Sequence, residues 1–76
     1  MRIVTIGEVV DANKALGEQG IPCKVHLSDA CGRQTLWLEP LDGCDLDAAQ
    51  EAVRGFFRGL RCELEFAEDG KTFWGK

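Results

Sequence analysis

Three stretches of the chain alternate apolar and polar residues, and two others repeat apolar residues at helical spacing. Cys23, Val25 and Leu27 alternate with Lys24, His26 and Ser28, and a second such run follows from Arg33 to Glu39. This predicts a β-hairpin closed by a four-residue loop, Asp29 to Gly32, with Ser28 opposite Arg33. Leu27 then faces Gln34, Val25 faces Leu36 and Cys23 faces Leu38 on one side. The other side carries Lys24, His26, Ser28, Thr35, Trp37 and Glu39, and is polar apart from the indole. Arg61 to Ala67 alternates again, and Asp69-Gly70 is suited to a type I′ turn. With Glu68 opposite Lys71, Phe66 comes near Phe73 on the inner face and Trp74 faces Glu65 on the outer one.

Each predicted hairpin is preceded by a helix. Thr5 and Glu8 have the spacing of a capping box, with Val4 and Val9 at the staple positions. Ile6, Val9, Val10, Leu16 and Gly17 are expected on one face, with Asn13 in its middle. Gly20 suits the residue after the helix end, and Pro22 blocks continuation. Asp45 is the expected cap of the second helix, and Asp47 in its first turn favours the macrodipole. Leu46, Ala49, Val53, Phe56, Phe57 and Leu60 form its apolar face, and Gly59 lies near its end. The sequence leaves open whether Arg2 to Val4 adds a short N-terminal edge strand.

The two halves run in parallel. Thr5, Ile6, Val9 and Leu16 match Asp45, Leu46, Ala49 and Phe56 at an offset of forty. Gly20 and Gly59, Cys23 and Cys62, Val25 and Leu64, and Leu27 and Phe66 follow at thirty-nine. A helix-strand-strand unit, roughly 5–39 and 45–76, is therefore used twice within one α+β domain spanning 1–76. Neither unit can bury its apolar face alone, so the expected fold is a four-stranded antiparallel sheet with both helices on one face.

Composition narrows the partners. The 76 residues carry a net charge of −4, which disfavours a nucleic acid or an anionic membrane surface as partner. No apolar run reaches the length of a membrane span. An acid at Glu8 comes too early for a signal peptide, so the sequence reading places the protein in the cytoplasm with its four cysteines as thiols.

Asp29-Ala30-Cys31-Gly32 resembles a family of small bacterial proteins of uncharacterised function named for an Arg-Asp-Ala-Cys tetrapeptide. The resemblance runs through the hairpin, the Leu-Trp-Leu-Glu-Pro strand end and the aromatic C-terminus, and departs at Ser28, where the family name has arginine. It implies no activity, substrate or catalytic residue. The doubled unit also looks like the architecture of gyrase-inhibitor-like small-molecule-binding domains, an analogy of fold alone.

Candidate chemistry is sparse. No C-x-x-C occurs and His26 is the sole histidine, so the sequence predicts neither a metal site nor a cofactor. Cys23 and Cys62 fall on inward strand positions, and Cys44 precedes the second helix where it can pack on Ala49. Cys31, in the hairpin loop, is the candidate reactive thiol; Arg33 would lower its pKa and Asp29 would raise it. A Cys31–His26 nucleophilic pair would need the loop to fold back, and no catalytic residue is assigned. Asn13 is expected to hydrogen-bond a strand edge. Arg54, Arg58 and Arg61 read as solvated charges around a helix end.

The two tryptophans carry the functional expectation. Trp37 and Trp74 lie on the face the helices leave open, among Lys24, His26, Thr35 and Glu65. Large apolar groups on such a face mark an interaction site. The leading expectation is an interaction domain that forms a homodimer or binds a partner protein through that face. The alternative is a small-molecule-binding module lined by Trp37, Trp74 and His26, and the third is thiol redox function at Cys31.

Overall fold

The computed structural model describes residues 2–30 and 32–76. Helix α1 (Ile6–Glu18) leads into strands β1 (Cys23–Ala30) and β2 (Arg33–Pro40). Helix α2 (Leu46–Gly59) leads in the same way into β3 (Leu64–Phe66) and β4 (Thr72–Gly75). The strands form one antiparallel sheet in the order β1-β2-β4-β3. Exchanging the two helix-strand-strand units returns that order read backwards, so the second hairpin lies against the first through β2 and β4. Both helices cover one face. Val9, Ala12 and Leu16 of α1 and Ala49, Val53 and Phe57 of α2 share a core with Cys23, Val25, Leu36, Leu38, Leu64 and Phe73 of the sheet.

Local chemistry fixes both helix ends. Glu8 N–H donates to Thr5 Oγ1 at 3.1 Å and Thr5 N–H donates back to Glu8 Oε1 at 3.0 Å, completing the capping box. The Asp45 carboxylate accepts from Asp47 N–H at 3.0 Å and Ala48 N–H at 3.4 Å. Both helices close with the same two backbone bonds. In α1, Ile21 N–H reaches Leu16 C=O and Gly20 N–H reaches Gly17 C=O; in α2, Cys62 N–H reaches Phe57 C=O and Arg61 N–H reaches Arg58 C=O. The left-handed residue this geometry demands is Gly20 in the first helix but Arg61, at φ 59°, in the second. Gly59, which the offset of thirty-nine matched to Gly20, is the last residue of α2.

Three expectations change, and one question left open is answered. The first hairpin pairs Ala30 with Arg33, Leu27 with Leu36 and Val25 with Leu38, two residues beyond the expected register. A slip of two keeps every side chain on its predicted face, because strand side chains alternate with period two. The second hairpin has the expected register, Phe66 opposite Phe73 and Glu65 opposite Trp74, but not the expected turn. Only Gly70 has positive φ, and a type I′ turn needs two such residues. Instead the Asp69 carboxylate accepts from the N–H groups of Lys71 and Thr72, each at 2.8 Å, and holds a wider loop.

Third, the α1 core face is Val9, Ala12 and Leu16, while Ile6 and Val10 are 73% and 60% exposed. Leu60, which caps the end of α2, is likewise exposed at 38%, whereas Leu46 and Phe56 pack half-buried against the core. The open question at the N-terminus is answered: Arg2 to Val4 contributes one isolated bridge, Arg2 to Gly75, rather than a strand. Val4 is buried beneath it, and the Gln34 amide grips both its N–H (2.9 Å) and its C=O (2.5 Å).

Candidate functional site

With both helices on one side, the opposite face of the sheet stays open, and the cross-strand register decides what it carries. His26 stands opposite Trp37, Lys24 opposite Glu39, Trp37 opposite Thr72, and Glu65 opposite Trp74. Thr35 lies on the same side, two residues before Trp37. All six face residues expected from the sequence (Trp37, Trp74, His26, Lys24, Thr35 and Glu65) therefore do share this face. Trp37 and Trp74 are diagonal neighbours on adjacent strands, because Trp74 lies two residues beyond the partner of Trp37. Both rings are half-buried, so the large exposed apolar area expected there is reduced.

The face divides into two clusters. In the first, the His26 ring stacks on Trp37 with centroids 5.4 Å apart and planes 23° apart. His26 Nε2 is 2.7 Å from Glu39 Oε1. Glu39 thus binds its diagonal neighbour rather than Lys24 directly opposite, and it fixes the imidazole over one face of the indole.

The second cluster is a cleft of about 260 Å³ at the tip of the first hairpin, lined by Ile3, Gly32, Arg33, Gln34, Thr35 and Trp74. Tying Arg2 to β4 and Val4 to Gln34 holds Ile3 at the rim, 63% exposed. Ile3 and Arg33 were not among the residues expected from the sequence. The Arg2-Ile3-Val4 alternation was the available signal for Ile3, since it places Arg2 and Val4 on the helix side and Ile3 on the other. Arg33 forms no ion pair among the described residues.

The thiols lie elsewhere. Cys23 and Cys62 are buried on the helix side, and Cys44 is half-buried. Burial, together with the nearby Cys44, pushes the Cys23 thiol up to about 11, so it stays protonated and unreactive near neutrality. Cys31, the candidate reactive thiol, lies outside the described residues. Among the described residues no three His, Cys, Asp or Glu side chains come together to hold a metal ion, and no helix is long and apolar enough to cross a membrane.

No family model matches the chain, and neither a curated protein nor a solved structure gives a significant match. The resemblance at Asp29 to Gly32 therefore brings no residue role to either cluster.

Proposed function

We propose that the protein is a binding module whose open sheet face takes a small, flat organic acid in the cleft beside Trp74. The observation that carries this reading is the composition of that cleft. Trp74 offers an aromatic wall, Ile3 an apolar rim, and Arg33 a cation with no described carboxylate partner. A guanidinium pairs with a carboxylate through two parallel hydrogen bonds, and an indole favours a flat apolar body. The volume of about 260 Å³ sits just below the usual range for drug-sized ligands, which suits a single ring system. A net charge of −4 repels anions from the rest of the surface, so the selection for an acid rests on Arg33.

Amide NMR spectra recorded with benzoate and with neutral benzamide test this. Benzoate is expected to shift Arg33, Thr35 and the Trp74 indole N–H. Trp74→Ala should abolish the shifts, and Arg33→Gln should remove the preference for the acid. Equal shifts from benzamide, or none at the cleft, would overturn the proposal.

A second reading, in which the open face meets a partner protein or a second copy, is favoured by the Trp37–His26 stack. That surface lies outside the cleft, and only a partner larger than a single ring would cover both clusters. Protection of the Trp37 indole N–H from solvent exchange at high protein concentration or in a complex would support it.

A further inference from the structure

The most exposed apolar side chains of α1 lie away from the tryptophans, along one flank of the helix. Ile6 and Val10 are 73% and 60% exposed, and Asn13 and Gly17 continue their line at three- and four-residue spacing. The adjacent line, Val9, Ala12 and Leu16, is the one buried in the core. The apolar arc of α1 is therefore wider than its own domain buries.

The two ends of this flank have opposite shapes. At the N-terminal end Ile6 projects. At the C-terminal end Gly17 leaves open space, with nothing within 4 Å of where a Cβ would stand. A hollow of about 430 Å³ opens there, lined by Asn13, Gly17, Ile21, Pro22 and the exposed Leu41 among others. Projection and hollow lie eleven residues apart, about three helical turns, so they point the same way about 16 Å apart.

We propose that two copies of the chain pair through this flank, α1 antiparallel to α1, about a two-fold axis between Val10 and Asn13. That axis places Ile6 of each copy in the Gly17 hollow of the other and Val10 against Asn13. A second copy is the occupant because one surface carries both the projection and the matching recess at the spacing a two-fold requires, the signature of an isologous contact. The interface is small, so the dimer forms and dissociates with concentration.

Sedimentation equilibrium on the full chain, from about 1 µM to about 1 mM, reads this directly. The mass should rise from 8.4 kDa toward twice that value. Ile6→Glu should lower the association constant at least tenfold; a glutamate in the first helical turn suits the macrodipole, so the fold is kept. Gly17→Leu is the sharper variant. It favours the helix and adds apolar surface, so general stickiness would strengthen association, whereas a filled hollow abolishes it. A monomer at every concentration, stronger association of Gly17→Leu, or loss of association in Trp37→Ala with Trp74→Ala while Ile6→Glu has no effect would each overturn the proposal.

Discussion

Asn13 and Val25 are joined by a closed pair of hydrogen bonds: Asn13 Nδ2 donates to Val25 C=O at 3.0 Å, and Val25 N–H donates to Asn13 Oδ1 at 2.7 Å. β1 is an edge strand, and Val25 turns its backbone groups away from β2. The amide of α1 thus takes the place of a neighbouring strand, as the sequence had suggested for Asn13. Edge strands with free backbone groups invite pairing with other chains, and this clamp removes one site of it.

Asn13→Ala should therefore destabilise the protein by about 1–3 kcal/mol, the cost of leaving half-buried backbone groups unpaired. Faster amide exchange at Val25 and a lower urea midpoint would show it. An unchanged Val25 exchange rate would mean that solvent replaces the clamp without loss.

Gly75 is a point of close approach in the sheet. A Cβ there would stand 3.0 Å from the Arg2 carbonyl oxygen and 3.1 Å from Cys62 Sγ. A methyl group there requires the Arg2 bridge and the Cys62 side chain to give by a few tenths of an ångström. Gly75→Ala is expected to cost about 1–3 kcal/mol through overpacking and to release the bridge. Thermal unfolding and Arg2 amide exchange together measure this, and a melting point equal to wild type would contradict it.

Arg61 holds a left-handed conformation that a side chain disfavours. Arg61→Gly should stabilise the protein by about 0.5–1 kcal/mol by relieving that strain. Gly59→Ala should stabilise it too, because Gly59 is helical and has open space where a Cβ would go. If Gly59→Ala instead destabilised the protein, the glycine rather than Arg61 would be the true stop.

Glu8 gives acid sensitivity with a defined sign. Its hydrogen bond from Arg2, then that from Thr5 N–H, holds its pKa at about 2 rather than the ordinary 4.5. The folded state therefore binds fewer protons than the unfolded state between those values. The stabilisation is complete above about 4.5 and is lost as pH falls toward 2. At neutral pH Glu8→Ala should cost about 1 kcal/mol, allowing for partial solvent screening of the pair. Urea midpoints of variant and wild type should converge on acidification; a constant gap down to pH about 2 would exclude this linkage.

The sequence by itself determined the elements, their ends and the two faces of the sheet. Thr5-x-x-Glu8 and Asp45 cap helices whatever lies around them, since a cap bonds only to the next three backbone N–H groups. Strand alternation is equally local, which is why His26, Thr35, Trp37, Glu65 and Trp74 were assigned to the open face despite a hairpin register wrong by two. What the tertiary structure decided depends on groups distant in the chain. Ile6 and Val10 share a helical arc with Val9 and Leu16, and only the position of β1 beneath α1 chooses which of them is buried. Arg61 becomes left-handed because Cys62 must turn back into the core. The Trp74 cleft exists because Gln34, thirty residues away, captures Val4 and thereby sets Ile3 at its rim. No spacing within either segment encodes that meeting, because it follows from where the two hairpins join.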